Sequence, residues 1–215
     1  SGVGSLVLGQ DINTDLYRYH FYNGYAFVHG RFDTDLVAAA LGTFLNPALD
    51  ALHYLGIAHL PPRLFGFVLG AIQGLNPAMV FLLARRLLDR GPGSGTLAGL
   101  VGVLAATGPT AHSSLGTTMG DTTVSIPFLA SLLVVLGDRG NPDERAGTPA
   151  WLGAGFLAGA SMGLKLTMGP HVVALGSLVV LMVLGRQARV GAGFAFVAGT
   201  LLGFVALGGT WCWRL

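Results

Sequence analysis

Long apolar runs alternate with short polar segments from residue 64 onward. The hydrocarbon core of a bilayer is crossed by a helix of about 20 predominantly apolar residues, and several of these runs approach that length. The pattern therefore predicts a set of six membrane-spanning helices. They cover residues 64–83, 96–107, 122–137, 151–167, 171–185 and 190–209.

The chain before these runs is less uniform. Residues 1–9 are apolar but too short to cross a bilayer, and we expect them to form the end of a first helix. Residues 36–60 carry too many polar groups for an easy lipid-facing span. They predict two short helices at the membrane interface, with a break at Asn46-Pro47.

Two further proline positions predict helix boundaries. Pro61 and Pro62 favour the start of the first span, because the donor that proline lacks would be unpaired in a first helical turn anyway. Within that span, Asn76-Pro77 predicts a kink, since proline removes one hydrogen bond of the helix.

Composition supports a membrane protein and excludes one class of partner. Charged residues make up 10% of the chain, against about 25% in a soluble domain. The 34 glycines are typical of membrane helices that pack closely. We therefore expect an all-α, polytopic transmembrane bundle. The net charge of +2 is scattered and argues against nucleic-acid binding. The single Cys212 is interpreted as a small buried apolar residue.

Residues 10–35 interrupt the apolar pattern most strongly. This polar, aromatic segment holds four of the ten acidic residues, two of the six histidines and four of the five tyrosines. A segment of this kind beside apolar helices is either solvated outside the membrane or lines a site. We expect a domain organisation of 1–9 as a helix end, 10–63 as an outer segment with interfacial helices, and 64–215 as the helix bundle.

The distribution of basic residues predicts which side of the membrane each loop faces. Three short loops at alternating turns hold seven of the twelve Lys and Arg residues, and short basic loops mark the cytoplasmic side. Residues 10–63 would then face the periplasm of a bacterium or the lumen of a eukaryotic compartment. The seven residues are Arg85, Arg86, Arg90, Arg139, Arg145, Arg186 and Arg189.

This orientation places most of the unusual polar side chains on the outer side. The outer segment, the 112–121 link and the 165–171 hairpin would share that side, so one outer vestibule is predicted. Its lining would come from Asp11, Asp15, Arg18, His20, His112, Asp121, Lys165 and His171.

Lys165 is the only lysine of the chain, and the pattern places it inside an apolar helix. A lysine at mid-bilayer costs about 2.5–3.5 kcal/mol on insertion scales. It is either an anchor that extends to the interface or a cation that holds a phosphate or carboxylate.

Three aspartates are candidates for acid–base chemistry. Asp11 and Asp15 are four residues apart and would share one face of a helix, where one carboxyl could act as a base; in a loop they would simply be solvated. Asp121, followed by two threonines, is either a helix N-cap or part of a site.

The aromatic and histidine residues leave alternatives open. Tyr22 and the neighbouring aromatic residues form either an interfacial belt or a surface that stacks on a sugar or a lipid. The histidines show no tight metal-binding spacing, so no metal site is predicted. No glycine-rich run follows a strand and opens a helix, and no nucleotide cofactor is expected.

Four motifs, taken in order, resemble those of multispanning bacterial membrane proteins of the GT-C glycosyltransferase type. They are YHFYNGYAF at 19–27, preceded by Asp15 and followed by Gly30-Arg31, then TFLNP at 43–47 followed by Asp50, GDTT at 120–123 and GLKLT at 163–167. The resemblance implies a polytopic enzyme of the bacterial cytoplasmic membrane that uses a polyprenyl-phosphate sugar donor and needs no added cofactor.

The resemblance also implies roles for the candidate residues. Asp11 or Asp15 would be the base, Lys165 with Arg18 would bind the donor phosphate, and Asp121 would contact the acceptor or the sugar. His20, Tyr22, His112 and His171 complete the expected substrate-binding set. The expected partners are membrane lipid and a lipid-linked sugar donor. The alternative is a non-catalytic membrane subunit that packs against other membrane proteins. A transporter is a weaker third option, because broken helices suit one but no inverted repeat is visible.

Overall fold

The computed structural model describes residues 1–9, 11–35, 40–88, 91–137, 147–209 and 211. Every regular element in these ranges is helical, and they contain no strand, which confirms the all-α prediction. The α-helices are α1 (Gly2–Leu8), α2 (Phe21–Val28), α3 (Ala48–His59), α4 (Pro62–Gln73), α5 (Leu75–Leu87), α6 (Ser94–Thr107), α7 (Pro109–Ser113), α8 (Asp121–Gly137), α9 (Thr148–Leu164), α10 (Gly169–Leu184) and α11 (Val190–Phe204).

Shorter helical turns connect several of these helices. Leu16–His20 and Val205–Gly209 are π-helical, and each continues directly into or out of an α-helix. Arg31–Asp33, Ala40–Phe44 and Leu166–Met168 are 3₁₀-helical.

Three helical segments are long and apolar enough to cross a membrane. They are Pro62–Leu87, Leu166–Leu184 and Val190–Gly209, and two shorter apolar helices cover Ser94–Thr107 and Asp121–Gly137. The remaining predicted span, 151–167, corresponds to α9 of 17 residues. The structure is therefore consistent with an integral membrane protein, while the number of six crossings remains a prediction.

Proline explains several helix boundaries. Pro62, Pro109, Pro149 and Pro170 each lie in the first turn of a helix, where a missing donor costs little. The break at Asn46-Pro47 is confirmed, since α3 begins at Ala48 and the Ala48 amide donates to the Asn46 side-chain oxygen at 3.0 Å.

The first span is interrupted before the proline at which a kink is predicted. A turn at Gly74 separates α4 from α5. Pro77 has no amide to donate to the carbonyl of Gln73, and its ring crowds that carbonyl, so the helix is interrupted one turn earlier than the proline itself.

The chain divides into two compact units. Within the described ranges, the first contains residues 1–75 and 106–123, and the second contains residues 76–105 and those from 124 to 211. The first unit thus joins the predicted outer segment to α1, α4 and α7.

Close backbone contacts hold the first unit together. The Ser5 hydroxyl donates to the Gly66 carbonyl at 2.8 Å and joins α1 to α4. Gly24 on α2 faces α3, where a Cβ would collide with the Asp50 carbonyl oxygen. The Gln73 side chain accepts from the Gly116 amide at 2.7 Å and donates to the Thr117 carbonyl at 2.9 Å. These contacts position the polar segment against α3, α4 and the 116–118 turn.

The second unit is built on direct contact between α9 and α11. Glycines on each helix face the backbone of the other, so a Cβ at any of them would collide with a main-chain atom. Small residues allow such close approach where lipid provides no hydrophobic force between helices. The glycines are Gly155, Gly159 and Gly163 on α9 and Gly199 and Gly203 on α11. We call this set the glycine interface.

Some predictions concern residues outside the described ranges. They include the burial of Cys212, three of the basic residues that orient the chain (Arg90, Arg139 and Arg145), and residues 36–39 of the first interfacial helix.

Candidate functional site

The polar segment enters the first unit through two successive side-chain turns. The Asn13 amide donates to the Asp11 carboxylate and the Asp15 amide donates to the Asn13 side-chain oxygen, both at 2.9 Å. Asp11 lies before the helical turns, which begin at Thr14. Of the two alternatives for Asp11 and Asp15, the structure has no helix on which both would share a face, because aspartate and asparagine side chains bind the local backbone here in place of a helix.

Asp11 fastens the segment to a distant loop. One oxygen of its carboxylate accepts from both the amide and the hydroxyl of Thr118, each at 2.8 Å. Its other oxygen accepts from Asn13. A carboxylate that accepts several donors in this way is well suited to hold structure, and Asp11 therefore fits a positioning role better than the role of a base.

In the π-helical turn Leu16–His20, the Tyr19 side chain lies near several acidic groups. Burial, the charges of Asp15 and Asp50, hydrogen bonding to Asp15 and the charge of Asp121 raise the pKa of the Tyr19 phenol from 10.0 to about 12. We call Asp15, Asp50 and Asp121, with Tyr19 among them, the carboxylate cluster. π-helical turns are rare and frequently lie at functional sites.

His20 is bound to one member of this cluster. Its Nδ1 lies 2.7 Å from Asp50 Oδ1, and both side chains are buried. Because a carboxylate only accepts, Nδ1 carries the proton in this contact, and Asp50 fixes the orientation of the imidazole. The ring also packs on Tyr19 with centroids 4.2 Å apart.

Asp121 occupies the first turn of α8. The helix begins at Asp121 itself, so Gly120, with a φ of 82°, takes the position before it. A carboxylate in a first turn is favoured by the partial positive charge of the helix N-terminus. Asp121 can therefore stabilise the start of α8 and also belong to the carboxylate cluster.

Tyr22 contacts a separate, exposed ion pair. The Asp35 carboxylate accepts from the Tyr22 hydroxyl and pairs with Arg31 through two hydrogen bonds at 2.8 and 2.7 Å. Hydrogen bonds from Arg31 and then from Tyr22 lower the pKa of Asp35 to about 2. In this structure Tyr22 is thus held by Asp35 beside an aromatic group of Tyr25, His29 and Tyr54.

A largely apolar cleft of about 880 Å³ opens beside the π-helical turn. Leu16, Tyr17 and Asp11 line it on one side. Its volume is in the range of ligand pockets, about 300–1,000 Å³. The other lining residues come mainly from α1, α3 and α4 and include Leu6, Ile57, Arg63, Phe65 and Gly66.

Lys165 lies at the end of α9, and the prediction that it lies inside a helix is wrong. The α-helix ends at Leu164, and Lys165 has extended backbone angles of −150° and 112°. The chain must start a new helix at Gly169-Pro170, which limits how far α9 continues. A cation there is favoured by the carbonyl dipoles of the helix C-terminus, which explains how an apolar region holds a lysine.

The predicted site residues divide between the two units. The first unit holds Asp11, Asp15, Arg18, His20, Tyr22, His112 and Asp121. It brings Asp15, His20 and Asp121 to one cluster, whereas Arg18 and His112 are exposed. The second unit holds Lys165 and His171, and the His171 ring lies against Phe128 with centroids 5.8 Å apart. The single outer vestibule that would unite all of them remains a prediction.

Sequence reasoning gave no site role to Asp50 or Arg63, and it noted Tyr19 only among the aromatic residues and motifs of the segment. A signal existed for Asp50, since an aspartate in the apolar helix that follows Asn46-Pro47 is costly unless it is paired. Within the described ranges no three His, Cys, Asp or Glu side chains are placed to hold a metal ion together.

Comparisons with protein-family models, with curated proteins and with solved structures gave no significant match. The function must therefore be inferred from the residues of the chain itself.

Proposed function

We propose that the chain is a membrane glycosyltransferase-like protein that transfers a sugar from a polyprenyl-phosphate donor on the non-cytoplasmic face. The observation that carries the proposal is the carboxylate cluster beside an apolar cleft within one unit. Acidic groups gathered around a half-buried tyrosine repel one another, and such arrangements are concentrated at acid–base sites.

Asp15 is the proposed base. Its carboxylate is half-buried beside the Tyr19 hydroxyl, whereas Asp11 is engaged by Thr118 and Asp50 by His20. An acceptor hydroxyl would attack the anomeric carbon, its proton would pass to Asp15, and the bond to the lipid phosphate would break with its electron pair on the phosphate. Tyr19 and the His20–Asp50 pair would hold Asp15 and the acceptor in position.

The phosphate-binding cation that we propose within this unit is Arg18. Arg18 is exposed and follows Asp15 by three residues. A cation at the leaving phosphate stabilises the charge that develops as the glycosidic bond breaks.

The test is transfer from a radiolabelled polyprenyl-phosphate sugar by membranes that contain the full chain. Asp15→Asn should lower the rate by about 10²–10⁴-fold, the usual contribution of a general base. Asp33→Asn is the matched control, because Asp33 is an exposed aspartate of the same segment that neither lines the cleft nor belongs to the carboxylate cluster. Equal rates for the two variants would reject Asp15 as the base.

The alternative is a non-catalytic membrane subunit, and one observation favours it. Gly99 on α6 and Gly176 on α10 have open space where a Cβ would be, so each could accept a close helix from another protein. Absence of any transfer by the wild-type chain, with folding intact, would favour this alternative over the enzyme.

A further inference from the structure

Arg63 is an uncompensated cation at the apolar cleft. Among the described residues that line the cleft it is the one Lys or Arg, and its side chain is exposed. Within the part of the chain that the structure describes, its guanidinium makes no hydrogen bond or ion pair. A fixed cation without a counter-charge is an attractive point for an anion.

The acid that shares the cleft makes no ion pair with Arg63. The Asp11 carboxylate accepts hydrogen bonds from Thr118 and Asn13 instead. The cation at Arg63 also stands in the first turn of α4, where the helix dipole disfavours positive charge. A bound anion would relieve that electrostatic cost.

The position of Arg63 along the span indicates the kind of anion. The candidate membrane span Pro62–Leu87 begins one residue before it, so Arg63 lies at the depth where lipid headgroups meet water. Phe65 and Gly66, which also line the cleft, lie further into the same span. The cleft therefore presents a cation at headgroup depth and apolar walls directly below it.

We propose that this cleft is a binding site for an acidic membrane phospholipid, with the phosphate on Arg63 and one acyl chain along Phe65 and Gly66. A guanidinium binds phosphate oxygens through two parallel hydrogen bonds, whereas a zwitterionic lipid brings its own cation to the phosphate. The site would select acidic over zwitterionic headgroups whether or not the chain transfers a sugar.

The test measures lipid retained by the purified full-length protein. Delipidated protein is incubated with phosphatidylglycerol or phosphatidylcholine, and bound lipid is counted by native mass spectrometry. Wild type should retain one phosphatidylglycerol in preference to phosphatidylcholine. Arg63→Gln should lower that preference about tenfold, as expected for the loss of one charge-assisted contact. Arg189→Gln, an exposed arginine of the second unit, is the matched control and should keep the preference.

A second variant tests the binding of the acyl chain and is expected to fold. A Cβ at Gly66 meets nothing within 4 Å, and leucine favours a helix more than glycine does, so Gly66→Leu should fold and fill the cleft. It should lower retention of phosphatidylglycerol while Arg63 is intact. Equal retention of both lipids by wild type, or no effect of either cleft variant, would overturn the proposal. Failure of wild type to retain any lipid would overturn it as well.

Discussion

Neighbouring aspartates in the polar segment have different surroundings, although they are only four residues apart. Asp11 accepts hydrogen bonds from Thr118, while Asp15 faces Tyr19 in the carboxylate cluster. Spacing in the sequence identified both as candidates but could not separate them, because the distinction depends on contacts with residues about a hundred positions away. The hydrogen bonds of Asp11 fit a positioning role, and Asp15 is the base that we propose.

The raised pKa of Tyr19 predicts a response to alkaline pH. The folded protein holds the phenolic proton more tightly than the unfolded chain does, since burial and Asp15 raise its pKa from 10.0 to about 12. The stability that this group contributes is therefore complete below pH 10 and is lost as pH rises through about 12.

Ultraviolet titration of the phenolate signal checks this expectation. The hydrogen bond to Asp35 also raises the pKa of Tyr22, so the titration is made in a Tyr22→Phe background. One of the four remaining tyrosines should ionise near pH 12 in the folded protein, and Tyr19→Phe should remove that step. Tyr17→Phe is the control, because Tyr17 is exposed and the high step should persist. A high step that survives in Tyr19→Phe would contradict the assignment.

At the scale of elements, sequence signals predicted where helices begin better than where they end. Prolines marked the starts of α3 and α4 because their effect on the backbone is local. The end of α9 before Lys165 was missed, since a lysine is tolerated in helices and no glycine or proline stands at that position.

The glycine interface of α9 and α11 predicts a strong response to added volume. A side chain at Gly159 would collide with the Thr200 carbonyl oxygen, and the two helices would have to separate. We expect Gly159→Leu to destabilise the second unit by about 1–3 kcal/mol or more, the usual cost of overpacking.

Thermal unfolding in detergent, followed by circular dichroism, measures this loss. Gly153→Leu is the matched control on the same helix, because a Cβ at Gly153 meets nothing within 4 Å. It should unfold close to the wild-type temperature. Similar behaviour of the two variants would show that α9 and α11 are not held by this contact.

At the scale of the whole molecule, composition and periodicity were enough to predict an all-helical membrane protein. They could not predict the carboxylate cluster, because Tyr19, Asp50 and Asp121 come from three distant segments and no periodic pattern links them. Arg63 was missed for a related reason. An arginine before an apolar run is common at the membrane interface. Arg63 becomes a candidate for anion binding only because it lines the cleft, which the sequence does not show.

The orientation of the chain is a further prediction at this scale. The turn after α5 should be cytoplasmic, and α7 should lie on the opposite side. In a Cys212→Ser background, a cysteine at Gly91 should resist a membrane-impermeant thiol reagent applied to intact cells, and one at Thr110 should react. Both positions are exposed, and a Cβ at Gly91 meets nothing within 4 Å. The reverse labelling pattern would invert the topology.

The π-helical turn at Leu16–His20 has a consequence for how this site tolerates insertions and deletions. Its Phe21 amide bonds to the Leu16 carbonyl five residues back, so the turn contains one residue more than an α-helical turn. Deleting one residue would restore ordinary helical winding and rotate everything before it by about 100° relative to α2. Asp11 would then turn away from Thr118 and Asp15 from Tyr19. We expect natural variation in this segment to change its length very little.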